Sequence, residues 1–309
     1  MRIFGNNFDP IESDLIVLPI CWSLNSDVNF IKKIKPIIHS SNQIELFHEF
    51  HGVQEGCKIA LDPDFIQSEQ LDEFVSRAIK ETNWKDKMQS NSSIKLINED
   101  YSKLISFVEE KSEYWIEHGK LICFLGGDNS ISLGSTKGIA KLKSDFGILH
   151  FSEYPCLKPY NGELISEENT FYNIGSQVPE VSKIVGVGYS SISKEEFRVQ
   201  KENREKIVWF THKRNLQYRF KGESFSKIVK RWVNNLPEFI YLSINSTILN
   251  LYSLDEIEYV IDEIIASRKK IVGLDLSGTD KGLDAQKQKE LSKLLYITCK
   301  AYGRSRGKK

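Results

Sequence analysis

Seven short runs of the chain are apolar at nearly every position: DLIVLPI (14–20), LICFLGG (121–127), FGILHF (146–151), KIVGVGY (183–189), KIVWF (206–210), FIYLSI (239–244) and KIVGLDL (270–276). Runs of this length, rich in Val and Ile and lacking polar alternation, suit strands buried on both faces in a parallel sheet covered by helices. Between them lie stretches with helical spacing. Residues 99–118 carry Leu104, Ile105, Phe107, Val108, Trp115 and Ile116, and residues 224–234 place Phe225, Ile228, Val229 and Trp232 on one stripe. Residues 254–267 repeat the pattern with Leu254, Ile257, Val260, Ile261 and Ile264, and residues 284–302 form a closing helix. Strands that alternate with helices predict a three-layer α/β/α fold with a mostly parallel sheet. No internal repeat, low-complexity tract or Pro/Gly/Ser-rich linker divides the 309 residues, so a single domain over 1–309 is expected. The polar stretch 85–98 reads as a surface loop. Lys32-Lys33-Ile34-Lys35 reads as the solvated face of a helix that ends at Pro36.

Composition narrows the partners. With 42 basic and 42 acidic residues the net charge is zero, so no overall field draws the protein to nucleic acid or anionic lipid. The basic tail, 304–309, reads as a solvated and frayed terminus. Cys21, Cys57, Cys123, Cys156 and Cys299 are scattered, without the CxxC spacing of a zinc or redox site, and read as reduced thiols. The opening residues lack a charged start followed by an apolar run, and no stretch approaches the ~18 apolar residues of a membrane span, so a cytoplasmic protein without membrane contact is expected.

In an open parallel sheet reactive groups gather where strands end at their carboxyl termini. Four loops qualify: Gly126-Gly127-Asp128-Asn129-Ser130, Ser152-Glu153-Tyr154-Pro155-Cys156, Asn245-Ser246-Thr247 and Ser277-Gly278-Thr279-Asp280. The polar cluster that ends the FGILHF strand contains neither a carboxylate pair nor a usable histidine pair.

The order of these segments is similar to that of the ureohydrolase superfamily: the arginases, agmatinases and formiminoglutamases. GGDNSISLGSTKGIAK resembles that family's GGDHS segment, and FGILHFSEYPCL resembles the strand that ends in DAHxD. FIYLSINSTILN resembles the SxDxDxxDP signature, and KIVGLDLSG the final strand, which in the family ends at a glutamate. The cadence of the N-terminal segment and of residues 160–196 is closest to bacterial agmatinases. The resemblance implies an arginase-like sheet of about eight strands. It also implies assembly as a homo-oligomer, or as a hetero-oligomer with an active paralogue.

The chemistry implied by the resemblance departs from this sequence residue by residue. The family's six manganese-ligand positions fall on Asn129, Ser152, Tyr154, Cys156, Asn245 and Thr247. The histidine of its substrate loop, used in proton transfer, falls on Glu167, and its closing glutamate on Gly278. Gly126, Gly127, Asp128, Ser130 and His150 still match, as a structural cradle. The family binds two Mn2+ ions with four ligand carboxylates and attacks the guanidino carbon with a metal-bridging hydroxide. The six positions here carry no carboxylate, and desolvating two dications without negative partners costs on the order of tens of kcal/mol in the low-dielectric limit. The expectation is a protein without a cofactor: a non-catalytic pseudoenzyme that acts through association.

Two alternatives stand beside it. One is a binding module that holds a small cationic amine or guanidino compound, with Glu153, Glu167 and Cys156 at the remodelled pocket. The other is an altered hydrolase of guanidino C–N bonds using Cys156 as nucleophile, for which no base partner is evident. Glu168 is a further acidic group that could lie near the pocket. His48 and His51 have the spacing of one helix face and are expected to be packed or at the surface. Trp22, Trp84, Trp115, Trp209 and Trp232 are expected in the core or an interface.

Overall fold

A computed structural model describes residues 3–4, 7–20, 22, 30–42, 47–48, 52–53, 58–63, 91–162, 164–279 and 283–305. The strands are β1 (Leu15–Pro19), β2 (Phe47–His48), β3 (Gly52–Val53), β4 (Ile59–Leu61), β5 (Leu121–Leu125), β6 (Phe146–Phe151), β7 (Val181–Val187), β8 (Ile207–Phe210), β9 (Phe239–Asn245) and β10 (Lys270–Ser277). The helices are α1 (Phe30–Ser41), α2 (Asn91–Glu117), α3 (Ile131–Ala140), α4 (Thr170–Gln177), α5 (Lys194–Glu202), α6 (His212–Phe220), α7 (Phe225–Asn234), α8 (Leu254–Ala266) and α9 (Ala285–Ser305).

Eight strands form one sheet in the order β4-β1-β5-β10-β9-β6-β7-β8, and every ladder in it is parallel. The apolar runs alternate faces as the strand period requires. Leu15, Val17, Leu121, Cys123 and Leu125 point into one buried cluster, which α1, α7, α8 and α9 cover. Ile16, Leu18, Ile122, Phe124, Phe146 and Ile148 point into the other, which α2, α3 and α4 cover. The result is the expected α/β/α fold. Trp22, Trp115, Trp209 and Trp232 lie in these cores, whereas Trp84 is outside the described residues.

Several local expectations are corrected. Helix α2 begins at Asn91, so residues 91–98 are helical where a loop was expected; Ile97 and Tyr101 extend the apolar stripe into the core and draw the first turns into helix. Helix α1 continues past Pro36 to Ser41, because Ile37 and Ile38 on its last turns are buried against α9. The pattern also missed β4, whose three residues are too short to signal. His48 lies in the β2–β3 ladder and not on a helix, while His51 is outside the described residues. In the tail, Arg304 belongs to α9 and pairs with Asp262 at 2.6 Å; residues 306–309 are outside the described set. No helix among the described residues is long and apolar enough to cross a membrane.

Candidate functional site

The four loops follow β5, β6, β9 and β10, which are remote in sequence and adjacent in the sheet. Their carboxyl ends therefore meet at its centre. The cradle after β5 is made by backbone. Gly127 has φ +46°, and a Cβ there would lie 1.9 Å from the Trp22 carbonyl, so no other residue fits. Its own carbonyl accepts from Gly278 N at 2.7 Å and ties β5 to β10. Asp128 accepts from Ser130 N at 2.9 Å and opens α3. Gly126 completes the turn by donating to Leu276 O.

The six positions matched to metal ligands lie at this junction. Asn129 is fully buried and central: its Oδ1 accepts from Asn245 Nδ2 at 3.0 Å and from Ser277 Oγ, and its Nδ2 donates to Cys156 Sγ at 3.1 Å. Asn245 Oδ1 in turn accepts from Thr247 N at 3.1 Å and Thr247 Oγ1 at 2.9 Å. Thr247 Oγ1 accepts from Glu153 N at 3.3 Å. Cys156, Asn129, Asn245 and Thr247 thus form one continuous chain of neutral hydrogen bonds. Ser152 is buried beside it and accepts from Tyr154 N at 3.0 Å. Tyr154 is exposed at the mouth. Among the described residues, no three His, Cys, Asp or Glu side chains cluster as a metal ion would need.

A cavity of ≈ 450 Å3 opens beside this network, lined by Asn129, Tyr154, Cys156, Glu167, Glu196 and Asn245 among others. Glu167 is on its wall, whereas Glu153 is not; the Glu153 carboxylate faces Asn250 at 3.5 Å. Glu168 pairs with Lys158 at 2.9 Å on the same wall. Sequence reading missed Glu196. Its Oε1 accepts from Leu157 N at 3.2 Å, and its Oε2 accepts from Ser193 N and Ser193 Oγ, both at 2.9 Å. The signal was the Ser-x-x-Glu spacing from Ser193 to Glu196, a capping box that starts α5 and here also fixes the loop after Cys156.

Cys156 adopts φ +52°, a left-handed conformation that costs a non-glycine residue about 1–2 kcal/mol. The Asn129 and Glu196 hydrogen bonds on either side hold it there. Burial, then the nearby Glu167, pushes its thiol well above the usual range, so the group is a neutral thiol near pH 7. His150 is fully buried, packs at a tilt against Phe171 with ring centroids 4.1 Å apart and bonds through Nδ1 to Tyr189 Oη at 2.8 Å. Burial pushes its pKa down to about 3, which leaves a neutral structural imidazole off the cavity wall.

Solved structures with the same fold include the agmatine ureohydrolase of Thermoplasma volcanium, at 15% identity over 99% of this chain and 95% of that one (TM-score 0.69). The proclavaminate amidino hydrolase of Streptomyces clavuligerus matches at 10% identity over 98% and 97% (TM-score 0.70). The formimidoylglutamase of Bacillus subtilis subsp. subtilis str. 168 matches at 13% over 97% and 91% (TM-score 0.67). No curated protein sequence matches the chain. The sequence model of the Arginase family matches residues 60–250, well over half of the chain. By that match this protein is a member of the arginase family.

Proposed function

We propose that this arginase-family protein has given up the binuclear manganese centre, and with it metal-dependent hydrolysis, and that it works as a pseudoenzyme through association with an active paralogue or another partner. The observation that carries this reading is the closed bonding of Asn129. Its oxygen accepts two hydrogen bonds, and its nitrogen is turned toward Cys156. Manganese prefers carboxylate and water oxygens. Amide, hydroxyl and thiol groups already committed to one another do not fit it.

The replacements are coherent as a set. Four carboxylates converging without metal would repel and raise one another's pKa values; the neutral chain of donors and acceptors removes that strain and satisfies the buried side-chain amides of Asn129 and Asn245. Assays of urea and ammonia release from agmatine, arginine and formiminoglutamate, with manganese added, test the reading. Turnover abolished by chelator would defeat it; no release above the protein-free blank is the expected result.

A second reading has its own support. The cavity beside the network carries Glu167 and Glu196, with Glu168 compensated by Lys158, a charge balance that favours a small amine or guanidinium. A ligand at 100 times its dissociation constant stabilises the folded state by about 2.7 kcal/mol. Thermal-shift measurements with agmatine, arginine and polyamines decide it: a melting temperature unmoved across that set removes this reading.

A further inference from the structure

The amino ends of β5, β9 and β10 meet at the opposite end of the sheet from the site above. There Ile116, Lys120, Lys143, Phe239, Lys270 and Tyr302, with neighbouring strand residues, line a separate cavity of ≈ 400 Å3. The wall holds three lysines and, among the described residues, no carboxylate. Two of the ammoniums share one aromatic ring: Lys143 Nζ lies 4.8 Å from the Phe239 centroid and Lys270 Nζ 5.4 Å from it. Lys120 Nζ donates to the Ile11 carbonyl at 2.5 Å. Lys270 also pairs with the exposed Glu238 at 2.6 Å. Among the described residues the half-buried Lys143 makes no side-chain hydrogen bond and no ion pair, although the Glu238 carboxylate is close enough to feel its charge.

Three ammoniums around one cavity repel one another, and a single exposed carboxylate at the rim offsets only part of that repulsion. Stacking on Phe239 orders the lysine stems without neutralising them. A multiply charged anion entering the cavity would relieve the repulsion and accept the remaining ammonium hydrogen bonds, a role lysine fills for phosphoryl groups as a point charge. The volume falls within the range of small-molecule sites, so the anion can carry a modest organic body.

We propose that this lysine cavity at the amino ends of β5, β9 and β10 binds a small phosphorylated molecule with two or more negative charges. The site is remote from the family's cleft and stands whether or not that cleft holds metal.

Isothermal titration calorimetry on the full chain tests it, with pyrophosphate, ADP and adenosine as probes. Saturable binding of pyrophosphate and ADP, with none for adenosine, is expected. Lys143→Gln and Lys270→Gln each weaken it about tenfold, as loss of one charge-assisted contact requires. Lys143→Arg retains most of the affinity, and Lys230→Gln, an exposed lysine outside the cavity, leaves it unchanged. Melting temperatures confirm that each variant is folded, and if Lys270→Gln is not, the Lys143 pair decides. No saturable binding, equal binding of adenosine, or an affinity indifferent to Lys143→Gln overturns the proposal.

Discussion

Gly278, which the sequence resemblance sets against the family's closing glutamate, has φ +75°, and a Cβ built there would lie 2.6 Å from Asn245 Oδ1 and 2.7 Å from Ser246 Oγ. The neutral network occupies the space that a side chain at this position would need. Gly278→Ala is therefore expected to destabilise the protein by about 1–3 kcal/mol through left-handed strain and displaced hydrogen bonds. Denaturant unfolding measures this, and a wild-type midpoint for the variant would show that the network yields. A second buried residue makes the pH dependence testable. Asp275 is fully buried between Ser132 Oγ (2.7 Å), Tyr241 Oη (2.5 Å) and Ser243 Oγ (2.9 Å), and burial pushes its pKa up from 3.8 to about 6. A carboxyl whose folded pKa is raised loses protons later than in the unfolded chain. Its contribution to stability therefore falls as pH rises from about 4 to about 6 and stays low above that. The difference is on the order of 3 kcal/mol. Asp275→Asn, measured against wild type by unfolding at a series of pH values, should gain relative stability across that window; a difference independent of pH would contradict the assignment.

At the scale of elements, Ser193 caps α5, and through Glu196 the same box holds the backbone after Cys156. Ser193→Ala should cost about 1 kcal/mol and speed labelling of Cys156 by thiol reagents, because the loop that buries the thiol loses one support. Labelling as slow as in wild type would separate the cap from the loop. The elements were legible where their pattern was long. All seven apolar runs are strands, since burial on both faces leaves an unbroken signature, as in β5 and β6. Strand β4 was not legible, because three residues carry no period. The start of α2 was hidden by the polar residues around Ile97, whose burial depends on a sheet the local sequence cannot show. At the site, the loop positions could be read from the strand ends and the family resemblance. The bond between Asn129 and Asn245 spans 116 residues and follows from the crossover order of the sheet, which no local pattern encodes. Glu196 was legible only as a cap, and its second contact with Leu157 needed the fold.

For the whole molecule, the parallel sheet and its two covered faces preserve the family architecture around a junction whose two asparagine amides are bonded to each other and to their neighbours. A fold kept intact about such a junction suits a protein that serves by association, and affinity purification from the native cell tests that role: recovery of an arginase-family paralogue is expected, and recovery of this chain alone counts against it. Metal content decides how this junction is read, and elemental analysis of the purified chain, beside its melting temperature with and without chelator, supplies it. No stoichiometric manganese and a melting temperature that chelator does not move are expected. Two manganese ions per chain, with a melting temperature lowered on their removal, would contradict that reading.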